Sequence, residues 1–173
     1  MTSVHDDLCR TAARLLRANR YLTLGTASPD GVPWAVPVTY AWDDADRFYW
    51  YSASDAVHSR NITANAAVSL LVYDSRAADA DGQALYAAAT AETVPEADLP
   101  AALATFYTHR YPDPALRARK TRSAAEFLDA APQRMYRATV HTYSLLHPDA
   151  HPAHGPSVPY RVSVPFSTAL AAP

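Results

Sequence analysis

The residues best suited to chemistry stand together in one short stretch: His58, Ser59, Arg60 and Asn61, with Ser52 a little upstream. Arginine offers a planar fork of donors that matches phosphate or carboxylate oxygens. Histidine is partly charged near neutral pH, and serine adds a hydroxyl. Residues 53–67 are polar and then weakly helical, with Ser54 or Asp55 available as a cap. At the start of such a helix, free backbone amides and the dipole would join these side chains in holding a phosphate dianion. The alternative is that Arg60 and Asn61 only cap and solvate a short helix.

Two further groups invite a chemical reading. His109, Arg110 and Tyr111, with Arg134, Tyr136 and Arg137, set arginines beside tyrosines. They form either an anion or substrate site, or pairs with nearby carboxylates. His147, His151 and His154 have the spacing of metal ligands on a helix, but Pro148, Pro152 and Pro156 argue against a helix there. A draped loop is the simpler expectation, and no metal site is expected. Aspartates in the turn at 43–46 lack the rest of a calcium loop. There is no Gly-rich phosphate loop, nucleophile elbow or Cys/His zinc pattern.

Composition narrows the class. The chain has 173 residues, 49% hydrophobic and 18% charged, which suits one globular domain. A net charge of −2 with scattered basic residues gives no basis for nucleic-acid binding. The short basic run at 117–122 reads as a solvated helix face. The single cysteine, Cys9, excludes an internal disulfide and reads as a buried, inert thiol. No signal peptide and no run of roughly 20 apolar residues is present, so no membrane association and a cytoplasmic location are expected.

The elements that must position these residues follow from periodicity. Residues 3–19 read as a helix with Leu8, Ala12, Leu15 and Leu16 on one face. Residues 21–27 and 32–42 form strands around a Ser-Pro-Asp-Gly turn, and Pro37 implies an edge or bulge. Residues 47–52, 68–74, 84–94 and 134–146 read as further strands; 68–74, nearly all apolar, reads as central. On 134–146, Met135, Arg137, Thr139 and His141 share one face, and Tyr136, Ala138, Val140 and Thr142 the other. The alanines of 84–94 suggest a closely approaching surface or a tightly packed sheet. Capping pairs Thr93 with Glu96 and Ser123 with Glu126 mark two helix starts, the first with a stripe of Leu99, Ala102, Leu103 and Phe106. The fold class expected is mainly β (α+β): a six-stranded antiparallel barrel with peripheral helices. Residues 1–146 form the barrel domain, and the Pro/His-rich tail 147–173 drapes over it or a partner, with 160–166 available as an edge strand.

Residues 23–42, 48–73 and 84–94, about a third of the chain, resemble the pyridoxamine-phosphate-oxidase-like family of flavin-binding split barrels. The most specific part is Arg60-Asn61-Ile62, then Asn65, then Val68-Ser69-Leu70. The resemblance implies a homodimer with FMN in the groove between subunits. It places the flavin ring along Val36, Pro37, Val38 and Thr39, using backbone groups. Tyr51 and Ser52 fall at the ribityl–phosphate end, His58, Ser59, Arg60 and Asn61 at the helix start facing the phosphate, and Gln83 near the isoalloxazine. The function implied is an FMN-dependent oxidoreductase acting on a small organic substrate stacked against Trp34, Trp50 or tyrosines, with no side chain marked as catalytic. A non-catalytic flavin- or haem-binding module, with haem held by a tail histidine, and a deazaflavin-dependent reductase are the alternatives. The chain departs from the oxidases in lacking basic residues at 36–41 and in placing His58 where the family has a lysine; both departures argue against vitamin B6 oxidation.

Overall fold

The computed structural model describes residues 3–78, 82–149, 151–155 and 158–171. Residues 79–81 of the loop expected at 75–82, and Pro156 of the tail, lie outside the described residues. The first helix, α1 (Val4–Ala18), starts where the sequence supplies a reciprocal cap. Asp6 N–H donates to Ser3 Oγ across 3.2 Å, and the Asp6 carboxylate accepts from Ser3 N–H across 3.1 Å. Its buried stripe, Leu8, Ala12, Ala13, Leu15 and Leu16, belongs to the main core.

The strands are β1 (Tyr21–Ala27), β2 (Pro33–Thr39), β3 (Ala41–Trp42), β4 (Arg47–Ala53), β5 (Ala67–Tyr73), β6 (Ala84–Thr93), β7 (Gln133–Leu146) and β8 (Arg161–Val164). They form one antiparallel sheet in the order β2-β1-β5-β6-β7-β4-β3, with β8 beside β7. β2 and β3 are one segment bent at Tyr40. Its first part pairs with β1 and its last part with β4, so the sheet curls back on itself. The bend is pinned because the buried Tyr40 hydroxyl donates to the Leu16 carbonyl across 2.9 Å. The six expected strands therefore become eight: 32–42 divides at Tyr40, and 161–164 joins as an edge.

Registered pairs share a face, so Leu22/Val38 and Leu24/Val36 point inwards while Thr23/Pro37 and Gly25/Ala35 point outwards. The inner faces and α1 make the main core. A second core forms outside β3 and β4, where α3 (Leu99–Arg110) lays Leu99, Ala102, Leu103 and Phe106 against Tyr49 and Met135. α2 (Val57–Ala64) follows β4, and α4 (Pro114–Lys120) has no buried residue, as a solvated basic helix should.

Several local expectations are corrected. Neither Ser54 nor Asp55 caps α2; the cap position is Ala56, and Ser54 N–H bonds the Pro132 carbonyl instead. Thr93 does not cap a helix, because β6 continues through it (Thr93 pairs with Tyr136) and Pro95 precedes a short 3₁₀ turn before α3. The Ser123–Glu126 pair does form, with the Glu126 carboxylate accepting from Ser123 N–H across 3.0 Å, but it opens only one 3₁₀ turn. On β7 the alternation slips at His141, where the register with β6 shifts, so Thr142 is exposed and Tyr143 turns inwards. β5 lies inside the sheet but buries only one face.

The turn between β3 and β4 clasps the far end of the chain. Asp46, at φ 58°, accepts from Thr168 N–H across 2.7 Å, from Ser167 Oγ across 3.0 Å and from the Tyr143 hydroxyl across 3.0 Å.

Candidate functional site

At one mouth of the barrel, β4 leads into α2. The cap position of α2 has no side-chain hydrogen bond, so its first-turn amides are open. The side chains expected there divide into two pairs. Ser59 is buried and donates to the Ala53 carbonyl across 2.7 Å, and Asn61 is buried and donates to Thr26 Oγ1 across 3.1 Å. Both hydroxyl and amide therefore tie α2 to β4 and β1. His58 and Arg60 remain. His58 is only 7% exposed, and its Nε2 has no partner among the described residues. Burial holds its pKa below the usual histidine value, so the ring is neutral at neutral pH. Arg60 is exposed, with one guanidinium N–H folded back onto the Asp55 carbonyl.

Beside this mouth an open groove of about 580 Å³ runs over the outer face of β1, β2 and β5. Its lining includes Gly25, Ala27, Pro33, Trp34, Ala35 and Ser69, and carries no charge. Gly25 gives the groove its depth: a Cβ there would overlap Ser69 Oγ. A glycine inside a strand pattern signals such an approach, so residues 21–27 held this clue, although the sequence reading did not use it. Nor did it find Thr26, whose role depends on a partner far along the chain. Trp34, 46% exposed, stands at the lip. Trp50, the other expected stacking partner, is fully buried against Tyr136 with ring centroids 5.7 Å apart, so it cannot meet a ligand.

Val36, Pro37, Val38 and Thr39 continue along β2 from the groove. The Val36 and Val38 side chains face the interior, whereas Pro37 and Thr39 face outwards, beside the backbone of this terminal strand. Tyr51 packs under α3 and the 3₁₀ turn, 5.2 Å from the Phe106 ring and 5.6 Å from Phe127. Ser52 points the other way on β4, opposite Arg134. Gln83, with a buried Oε1 that has no partner among the described residues, precedes β6 at the Tyr73 end. In one chain Gln83 and α2 therefore stand at opposite ends of the strands.

The arginine–tyrosine cluster is split. Arg137 bonds Glu92 and Asp98 at 2.5 and 2.9 Å, and Arg134 bonds the carbonyls of Ala131 and Gln133. His109 and Arg110 lie elsewhere, at the end of α3. In the tail, His147 stacks on Tyr160 at 5.0 Å and His151 meets the same ring edge-on at 5.1 Å. Among the described residues no three His, Cys, Asp or Glu side chains are arranged to hold a metal ion, and no helix is long and apolar enough to cross a membrane.

A curled antiparallel sheet with a bent closing strand and an outer helix layer is the split-barrel fold. The sequence matches the family described as pyridoxamine 5'-phosphate oxidase over residues 10–139, and the chain belongs to that family. Solved structures agree on the fold. A protein of unknown function from Agrobacterium tumefaciens is 21% identical with a TM-score of 0.63, over 88% of this chain and 61% of that one. A heme-binding protein from Mycobacterium smegmatis is 18% identical with a TM-score of 0.61, over 94% and 59%. The heme storage protein of Vibrio cholerae is 17% identical with a TM-score of 0.59, over 77% and 90%. The aligned region thus makes up about three fifths of the first two proteins. No curated protein matches the sequence.

Proposed function

We propose that the chain is an FMN-dependent oxidoreductase that works as a homodimer, with the flavin held in the Gly25–Ser69 groove and its phosphate at the start of α2. The observation that carries this reading is the groove itself: uncharged, deepened by a glycine, and joined at Thr26 to α2, whose start has open amides, an exposed arginine and a buried histidine nitrogen without a partner among the described residues.

The residues present fit the group. Open amides of Val57, His58 and Ser59 and the Arg60 fork suit a phosphate dianion. The neutral His58 ring adds one N–H in the right tautomer but no charge, so Arg60 supplies the cation. The free edge of β2 offers backbone donors and acceptors to the polar rim of a flat ring, and Trp34 offers a stacking surface. The redox chemistry, hydride transfer to or from a small organic substrate, would come from the flavin. This chain's part is to orient the ring, cover it and exclude water.

Dimerisation is supported by what the strands lack. β1, β2 and β5 contain no charged residue, although their outer face is left uncovered. A solvated face would carry charge; an association surface omits it. A two-fold copy on this face would roof the groove and bring in residues such as Gln83 from the other chain.

The uncharged groove favours FMN over a deazaflavin with a longer anionic tail. Haem is the second reading, supported by the histidines gathered at Tyr160. The test is an absorbance spectrum of purified protein after incubation with excess FMN and desalting. Retained flavin bands support the proposal; a protein that retains none rejects it, and a Soret band after haem addition turns the reading to haem.

A further inference from the structure

The opposite mouth of the barrel holds a second cavity. It measures about 250 Å³ and lies where α1 and α3 both end. Arg17, Arg20, His109 and Arg110 stand around it, Tyr40 and Trp42 line it, and no carboxylate is among its lining residues. Register fixes its position: Tyr21 pairs with Thr39 at this mouth, whereas Ala27 pairs with Pro33 at the groove. The two ends of β2 are roughly 20 Å apart at strand rise, so this cavity is separate from the groove.

Basic residues at a helix C-terminus usually offset the dipole. The surroundings of the cavity exceed that role. The Arg20 side chain is exposed and makes no hydrogen bond or ion pair among the described residues, although it borders a concave site. The Trp42 indole N–H is buried and has no acceptor among the described residues, and Trp42 itself is 8% exposed. Arg110 is already oriented: its Nη1 donates to the Arg20 carbonyl across 3.2 Å, and its guanidinium lies 5.7 Å over the Tyr21 ring. His109 packs edge-on against Trp42 at 4.6 Å. Asp43, the carboxylate acting on His109, is engaged by Arg47 Nε and the Tyr49 hydroxyl at 2.7 and 2.8 Å.

We propose that this cavity binds a small oxyanion, inorganic phosphate or the carboxylate of a short organic acid, between Arg20 and Arg110 with Trp42 and His109 as its wall. The size agrees, since pockets for drug-sized ligands run from roughly 300 to 1,000 Å³. This cavity would hold its anion whether or not the groove holds a flavin.

The test follows the Trp42 indole N–H by ¹H–¹⁵N NMR of the full chain, assigned with Trp42→Phe. Inorganic phosphate and acetate are titrated separately, each against KCl of equal ionic strength. A saturable shift with either anion is expected; whichever saturates names the source. Arg20→Ala, which removes an exposed side chain with no partner, should weaken that binding about tenfold, as loss of a charge-assisted contact does, and Arg110→Ala at least as much. A shift that only tracks ionic strength, or a binding curve unchanged in both variants, overturns the proposal.

Discussion

Gly25 and Ser69 face each other across β1 and β5 so closely that a Cβ on Gly25 would overlap the Ser69 hydroxyl where it now stands. The Ser69 hydroxyl can rotate away, so Gly25→Ala should cost only about 1 kcal/mol of stability yet fill the floor of the groove. The expected result is a near-normal thermal midpoint with FMN retention lowered at least tenfold. Normal retention would place the flavin elsewhere.

Arg60→Ala removes the cation assigned to the phosphate without touching the core. FMN affinity, read by fluorescence quenching, should fall about tenfold, while riboflavin, which lacks the phosphate, should bind equally to both proteins. Equal losses for the two ligands would show that Arg60 acts on something other than phosphate.

Asn61 and Thr26 share a buried hydrogen bond. Asn61→Ala should lower stability by about 1–3 kcal/mol in urea unfolding, with much less further loss when Thr26→Val is added. Additive losses would mean the pair is not coupled.

A charge on the bare sheet face tests the dimer. Ala88 is exposed on β6, beside Ser69. Ala88→Arg should leave circular dichroism unchanged but halve the mass seen by sedimentation, since an unpaired charge is not buried against a second copy. A wild-type monomer at micromolar concentration would remove the dimer from the proposal.

Acid should weaken the fold earlier than its carboxylates require. Burial lowers the pKa of both His58 and His109, with Asp43 partly opposing this at His109. The unfolded chain takes up protons near pH 6.5, where the folded chain resists, so these groups support stability above that pH. That support is lost as pH falls towards the depressed folded values. Urea midpoints should therefore drop between about pH 7 and pH 5, and less so in His58→Gln. An identical pH profile for that variant would exclude His58 as a source.

Local signals account for what could be read early. The buried stripe of α1, the turn at 28–31 and the stripe of α3 depend on residues a few positions apart, and each formed as its spacing implied. What escaped depends on distant partners. Thr93 has a good capping pattern, but its strand pairing with Tyr136 won. Trp50 reads as a stacking residue until Tyr136 covers it. His58, Ser59, Arg60 and Asn61 look alike as polar residues at a helix start, and only the positions of Ala53 and Thr26 separate those that fasten the helix from those left over. The second cavity was half visible, through His109 and Arg110, but its other arginines come from the end of α1.

The clasp at Asp46 has a consequence for synthesis. The turn that closes the bent strand is tied to Ser167 and Thr168, more than a hundred residues downstream. At about 5–20 residues per second, the ribosome exposes the early strands seconds before their last partners emerge. The contacts that fix this turn therefore form only after Ser167 and Thr168 have emerged, and until then the bent strand lacks the clasp that closes it.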